Sequence, residues 1–75
     1  MEILAQVAWD YTLYRDGERR FLQVVCGTVA LFELAVELTA AERDCLATEG
    51  PAGLRFLVQA IRDDPFGFQP RKVDL

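Results

Sequence analysis

Residues 30–42 constrain the fold of this chain more than any other stretch, because a strand pattern passes directly into a helix start. Apolar residues recur at every second position from Ala30 to Leu38, with Glu33 and Glu37 among the residues between them. A period of two is typical of a strand with one buried face. Thr39-Ala40-Ala41-Glu42 then has the Thr-x-x-Glu spacing of a capping box, in which each side chain accepts a hydrogen bond from the other residue's backbone N–H. We therefore expect a strand followed at once by a helix.

The length and composition of the chain limit the classes of protein it can belong to. Its 75 residues predict one domain, residues 1–75, and an apolar content of 52% argues against disorder. Lys and Arg number 8 against 12 Asp and Glu, a net charge of −4. Nucleic-acid binding needs a concentrated basic face, so we expect no nucleic-acid partner.

Several residue types needed for catalysis are missing. The sequence contains no His, Ser or Asn, which removes the usual general base, the commonest metal ligand and the serine nucleophile. Neither Asp63-Asp64 nor the Glu42/Asp44 pair has a pattern beyond helix capping and turns, and Cys26 and Cys45 lack the CxxC spacing of redox or metal sites. We therefore predict no enzyme activity, no catalytic residue, no metal and no cofactor.

The N-terminus and the hydropathy pattern indicate the compartment. No charged stretch followed by an apolar run opens the chain, and no run of 18 apolar residues could span a bilayer. The expectation is a cytoplasmic protein with reduced cysteines and no membrane partner.

The first half of the chain reads as a hairpin. Odd positions from Ile3 to Leu13 are apolar, which predicts a first strand over Ile3–Tyr14. Asp16-Gly17 suits a two-residue type I′ turn, which would place Tyr14 opposite Arg19 and Trp9 opposite Val24.

The second connection, between the second and third predicted strands, must shift the alternation of inward and outward side chains by one residue. A two-residue Gly27-Thr28 loop would point Glu33 into the core, where an unpaired carboxylate is costly. A three-residue loop or a bulge at Gly27 would instead turn Phe32 and Leu34 inward, and the sequence does not choose between these two.

Two helices follow the strands. The first runs from the Thr39 cap to about Thr48 and is interrupted by Gly50-Pro51. The second, from about Ala52 to Arg62, carries an apolar i, i+3, i+4, i+7 stripe and ends before Pro65: Leu54, Leu57, Val58, Ile61. We expect the tail, Phe66 to Lys72, to be extended. The fold class is α+β, a three-stranded antiparallel meander followed by two helices packed on one face.

The expected orientation of the strands identifies candidate interface residues. With Trp9 and Phe32 beneath the helices, truncation of either to Ala should cost about 3–5 kcal/mol. The opposite face then shows an excess of apolar residues, which is typical of an interface, unless Phe66 and Phe68 of the tail cover it. We assign Tyr14, Phe21, Val25 and Leu31 to a protein interface. Pairing through the exposed edge of the third strand is a further route to a dimer.

Three stretches of the chain resemble short bacterial α+β proteins of uncharacterised role: Asp16-Gly17, Leu22-Gln23-Val24-Val25-Cys26-Gly27 and Glu37-Leu38-Thr39-Ala40-Ala41-Glu42. Some proteins of this size and acidity resemble immunity proteins of bacterial toxin systems. No functional residue follows from that resemblance.

The expected function is a non-catalytic protein-interaction domain that forms a homodimer. The alternative, which the resemblance implies, is an acidic immunity or inhibitor protein that masks a basic toxin.

Overall fold

The chain folds into a four-stranded antiparallel sheet followed by helices. A computed structural model of the chain describes residues 1–27 and 31–75. The strands pair in chain order and are β1 (Glu2–Val7), β2 (Tyr11–Asp16), β3 (Arg19–Cys26) and β4 (Phe32–Glu37). The helical elements are α1 (Ala40–Glu49), a first 3₁₀ helix (Pro51–Leu54), α2 (Arg55–Asp63) and a second 3₁₀ helix (Pro65–Arg71). The α+β class with strands before helices is right, but the three-stranded meander is wrong.

The additional strand arises because the predicted first strand folds back on itself at residues 8–10. Val7 pairs with Tyr11, and the Asp10 amide donates a hydrogen bond of 3.0 Å to the Val7 carbonyl. A straight strand over residues 3–14 would be roughly 40 Å long. Its partner β3 has only eight residues, so much of its backbone would lack a partner. When the segment folds back, the part that β3 cannot pair becomes β1 and pairs with β2.

The hairpin between β2 and β3 turns one residue later than predicted. Asp16 pairs with Arg19, so Gly17 and Glu18 form the turn, and Gly17 has a φ of +62°. A positive φ at the first central position only is the type II′ pattern, not type I′. The pairing differs from the predicted one by two residues, which leaves each side chain on its predicted face.

The pairing of β3 with β4 confirms the predicted change of parity. Val24 pairs with Leu34, and Val25 pairs with Glu33, which is exposed on the face away from the helices. The predictions for the Cys26-Gly27-Thr28 connection involve Thr28, which lies outside the described residues.

The core lies between one face of the sheet and the helices. The predicted apolar stripe is buried there against strand residues of β2, β3 and β4; its first residue, Leu54, ends the first 3₁₀ helix, and the other three belong to α2. Leu46 of α1 packs at the margin of this core. The fully buried side chains include Leu13, Leu22, Val24, Leu34, Val36, Leu54, Val58 and Ile61.

Two aromatic residues expected in this core lie elsewhere. Trp9 is 81% exposed because it sits in the turn between β1 and β2 and not within a strand. Phe32 has the predicted parity, opposite Cys26, but it is the first residue of β4 and is 44% exposed. The large stability cost predicted for truncating either residue therefore no longer applies.

The capping box of α1 is confirmed. The Glu42 amide donates to the Thr39 hydroxyl at 3.3 Å, and the Thr39 amide donates to the Glu42 carboxylate at 2.8 Å. Helix α1 ends at Glu49, and Gly50 follows with a φ of +74°.

The C-terminal tail is not extended over most of its length. Residues Pro65–Arg71 form a 3₁₀ helix, and only then does Lys72 bridge to Val36 on the outer edge of β4. Phe68 packs against the core, while Phe66 is exposed. The aromatic pair therefore does not cover the face of the sheet away from the helices. Within residues 1–27 and 31–75, no helix is both long enough and apolar enough to cross a membrane.

Candidate functional site

The turn between β1 and β2, residues 8–10, displays a strained and exposed tryptophan. Trp9 has a φ of +65°, and it is the one residue other than glycine with positive φ in the described part of the chain. The left-handed conformation brings the Cβ atom close to the following carbonyl and costs roughly 1–2 kcal/mol. A bulky residue that is held in this conformation and faces solvent indicates a role outside the stability of the fold.

Asp10 holds this turn in place through both its backbone and its carboxylate. The Asp10 carbonyl accepts from the Val25 amide at 2.9 Å and from the Arg62 guanidinium at 3.2 Å. Its carboxylate accepts from Arg62 at 2.7 Å and from Arg55 at 2.8 Å. Arg62 also donates to the Val25 carbonyl at 3.2 Å. These contacts, which we call the Asp10 clamp, join the turn to β3 and α2.

The charges of the clamp fix the protonation state of Asp10. Its hydrogen bond from Arg62 holds the pKa of the Asp10 carboxyl below its usual range; burial acts in the opposite direction, and Arg55 adds to the lowering. Since two guanidinium groups occupy the carboxylate oxygens, the geometry suits a structural anion and not a general base.

Apolar side chains continue from the turn along β1, the first strand of the sheet. Glu2 is the charged residue of this strand, and it is paired with Arg15 of β2 at 2.9 Å. The sheet order leaves the other side of β1 without a strand partner among the described residues. The exposed apolar side chains of this region are Met1, Ile3, Leu4, Val7 and Trp9.

The opposite edge of the sheet differs, because the tail covers part of it. Lys72 bridges to Val36, and the Val73 amide donates to the Ala35 carbonyl at 2.9 Å. This edge belongs to the strand for which the sequence suggested pairing with another chain. The more accessible edge of the sheet is therefore that of β1, and not that of β4 as the sequence suggested.

The four predicted interface residues do not form one accessible patch. Phe21 is only 4% exposed: the Arg19 guanidinium lies 4.9 Å from its ring centroid and is held there by Glu37 at 2.9 Å. Tyr14 pairs with Phe21 and is half-buried, donating from its hydroxyl to Gln23 at 3.0 Å.

The other two predicted interface residues lie toward the other end of the sheet. Val25 is half-buried opposite Glu33, and Leu31, just before β4, is 59% exposed. Their assignment to an interface remains a prediction.

Neither cysteine belongs to a reactive cluster. Cys26 and Cys45 are free thiols, and burial raises the pKa of the Cys26 thiol, which donates to the Val24 carbonyl at 3.6 Å. No group of three His, Cys, Asp or Glu side chains able to hold a metal ion occurs in residues 1–27 and 31–75.

Sequence reasoning missed the Trp9 turn and the Asp10 clamp for different reasons. The turn could have been suspected from length, because strands usually run 3–10 residues and the predicted one ran longer. The clamp joins residues 45 and 52 positions apart, and no local pattern marks such a contact. Comparisons with protein-family models, with curated proteins and with solved structures find nothing that matches this chain.

Proposed function

We propose that this chain is a non-catalytic protein-interaction domain that forms a homodimer through the free edge of β1, with Trp9 as an anchor at each end of the interface. The observation that carries the proposal is Trp9, which is exposed and strained and lies in the turn that the Asp10 clamp holds in place. Large aromatic side chains dominate the binding energy of protein interfaces. A rigid anchor also loses little conformational freedom on binding.

The edge of β1 has the properties of a strand that pairs with another chain. An uncovered edge offers unpaired N–H and C=O groups, and proteins usually protect such edges with Lys, Pro or a bulge that twists the strand away. Here β1 contains neither Lys nor Pro and is apolar at most positions. Its register shift between Ile3 and Ala5 adds local twist but leaves residues on both sides paired with β2.

A second copy of the chain fits this edge better in the antiparallel direction. A two-fold axis brings the same patch of both subunits together. Antiparallel pairing would set Glu2 of each copy near the end of the other β1, where Val7 lies, and so would separate the two carboxylates. Parallel pairing would place the two Glu2 side chains side by side, which is unfavourable. Antiparallel pairing also brings Trp9 of each copy toward the start of the other β1.

The proposal is tested by the oligomeric state of two matched variants. Ile3 and Leu31 are exposed aliphatic residues of similar accessibility, one on β1 and the other at the sequence-predicted interface. We expect the parent chain to sediment as a dimer at micromolar concentration, Ile3→Lys to sediment as a monomer, and Leu31→Lys to remain a dimer.

Two outcomes would contradict the proposal. A parent chain that stays monomeric at every concentration would remove the homodimer. A dimer that dissociates with Leu31→Lys but survives Ile3→Lys would instead support the interface on the sheet face that was predicted from the sequence. Circular dichroism of each variant would show that the sheet is retained.

A further inference from the structure

The tail of the chain lies against the outer edge of β4 as a short antiparallel strand. Lys72 bridges to Val36. The Val73 amide donates a hydrogen bond of 2.9 Å to the Ala35 carbonyl. The sheet order places no other strand on this side of β4 within residues 1–27 and 31–75. The tail therefore covers the second half of this edge and leaves residues 32–34 without an outer strand in the described part of the chain.

Arg71 holds the tail in this position. Its guanidinium donates to the Glu42 carboxylate at 2.6 Å and to the Glu37 carbonyl at 2.9 Å. It also lies 5.7 Å from the ring centroid of Phe68. The buried core contains none of residues 72–75. A segment with few buried apolar contacts opens at a lower free energy than the core, so the tail can leave the edge while the rest of the fold stays intact.

Without the tail, β4 would present an edge to which another strand can pair. An uncovered edge offers a row of N–H and C=O groups. The strand, Phe32–Glu37, contains no Lys, Pro or Gly, which are residues that protect or interrupt edge strands. Large apolar side chains are exposed where the strand begins: Leu31 by 59% and Phe32 by 44%. The edge therefore suits an extended partner that brings apolar side chains with it.

The spacing of its charges suits β4 to pairing with a second copy of itself. In the symmetric antiparallel register centred on Leu34, each Glu33 lies opposite Ala35 of the other copy, so no carboxylates meet. The register centred on Ala35 is unfavourable because it sets Glu33 opposite Glu37. Pairing centred on Leu34 also covers part of Phe32, since the strand of the other copy lies beside it.

We infer that residues 71–73 are an autoinhibitory strand, which occupies the site on the outer edge of β4 where a second copy of this chain can pair. The tail and the second copy exclude each other because both need the same outward carbonyl groups, those of Ala35 and Glu37. This site lies at the opposite edge of the sheet from β1 and is additional to the proposed dimer.

The first test removes one hydrogen bond of the tail. Val73→Pro deletes the amide that donates to Ala35. Lys72 already has the extended conformation that a following proline requires, with a φ of −58° and a ψ of 136°. Val73→Ala is the matched control, because it also shortens the side chain but keeps the amide. Both changes are made together with Ile3→Lys, which is designed to block pairing through β1.

We expect the Val73→Pro protein to dimerise at concentrations where the Val73→Ala protein is monomeric, as measured by sedimentation. The apparent dissociation constant rises as the fraction of released tails falls, and pairing needs both copies to release theirs. Loss of one backbone hydrogen bond should shift the tail equilibrium about fivefold, so the dissociation constant of the dimer should fall about 25-fold.

A second pair of variants tests the arginine. Arg71→Met removes the contacts to Glu42 and Glu37, whereas Lys72→Met removes the adjacent exposed cation and leaves those contacts in place. In the same Ile3→Lys protein, Arg71→Met should lower the dissociation constant about a hundredfold, because a charge-assisted contact is lost in each copy. Lys72→Met should leave the dissociation constant unchanged. Circular dichroism of each variant would show that the fold is retained.

A further substitution tests the register. In the Val73→Pro protein, Leu31→Glu would place a carboxylate opposite Glu37 of the other copy and should weaken pairing about fivefold, whereas Leu31→Gln should weaken it less. Equal effects of these two substitutions would refute the register centred on Leu34.

Two results would overturn the inference. One is an equal dissociation constant for Val73→Pro and Val73→Ala, and the other is an equal dissociation constant for Arg71→Met and Lys72→Met. Failure of the β1 dimer would appear separately, as a parent chain that is monomeric at every concentration. It would leave these comparisons intact, because each variant and its control carry the same residue at position 3.

Discussion

Single residues of the turn between β1 and β2 combine local strain with long-range support. Trp9 adopts a conformation that tryptophan seldom occupies, and its side chain remains in solvent. Its neighbour Asp10 holds the turn in this conformation by accepting from the Val25 amide of β3 and from Arg62 of α2. A conformation of this kind persists only where the surrounding structure determines it.

Replacement of Trp9 tests whether the strain is real. Trp9→Asn should raise the free energy of unfolding of the monomer by about 1 kcal/mol relative to Trp9→Ala, because Asn tolerates positive φ and Ala does not. Chemical unfolding followed by circular dichroism at low protein concentration measures the difference; fluorescence is unsuitable because the chain has one Trp. A loss of about 3–5 kcal/mol in Trp9→Ala would instead indicate a buried indole.

The two arginines of the Asp10 clamp should differ in importance. Arg62 donates to the Asp10 carboxylate, the Asp10 carbonyl and the Val25 carbonyl, whereas Arg55 makes a single exposed contact. Arg62→Met should cost about 2 kcal/mol because three partly buried acceptors lose their donor. Arg55→Met should cost at most about 1 kcal/mol, as exposed ion pairs do. Equal unfolding midpoints for the two variants would contradict the greater importance of Arg62.

At the scale of elements, the start of α1 is where local and tertiary contacts meet. Glu42 closes the capping box and also accepts from Arg71 at 2.6 Å, while Arg71 donates to the Glu37 carbonyl at 2.9 Å. The Glu42–Arg71 pair therefore joins the end of β4, the start of α1 and the tail. A strand can pass into a helix within three residues here because the capping box gives acceptors to two backbone amides at the helix start, those of Thr39 and Glu42.

Removing the cap measures the local part of this arrangement. Thr39→Ala should lower the free energy of unfolding by about 1 kcal/mol, since the Glu42 amide loses its acceptor. Thr48→Ala makes the same chemical change at an exposed position near the other end of α1 and should be neutral to slightly stabilising, because Ala has a higher helix propensity than Thr. Urea denaturation of both variants gives the comparison. Similar losses in both would show that the capping position of the Thr39 hydroxyl does not account for the effect.

For the whole molecule, acid is expected to weaken the fold through two carboxylates. Arg62 holds the pKa of Asp10 low; for Glu42, burial alone would raise the pKa, but hydrogen bonds from Arg71 and from the Thr39 amide outweigh burial and lower it. Both groups therefore have a lower pKa folded than unfolded. Their contribution to stability is present above the unfolded values of about 4 and is lost as the pH falls through the folded values.

We expect the free energy of unfolding to be constant from about pH 5 to 8, because the chain has no His to titrate there, and to fall below about pH 4. Urea unfolding across this range measures it. Glu42→Gln should make the acid fall shallower, while Asp44→Asn, which removes an exposed carboxylate of the same helix, controls for the loss of one charge. An acid fall as steep in Glu42→Gln as in the parent would show that the Glu42–Arg71 pair contributes little.

The homodimer proposal also belongs to this scale. With a core supplied by only 75 residues, an edge-to-edge dimer would enlarge the sheet and add buried apolar surface. Besides Trp9, this proposal needs the exposed edge of β1, which exists because the predicted first strand is divided into β1 and β2.

The local sequence pattern was sufficient to predict which face of each strand is buried and where the first helix is capped. Alternation placed Leu13, Leu22 and Val24 in the core even though the predicted pairing was off by two residues, because side-chain direction repeats with that period. The capping box at Thr39 and the end of α1 before Gly50 followed from neighbouring residues alone.

Tertiary structure decided the number of strands, the position of Trp9 and the accessible edge. The turn at residues 8–10 contains no glycine or proline to mark it, and it is held by Arg55 and Arg62, which lie far along the chain. The tail occupies one edge of the sheet and leaves the other open. Contacts between distant segments choose among arrangements that satisfy the same alternation equally well, so no local period could have distinguished them.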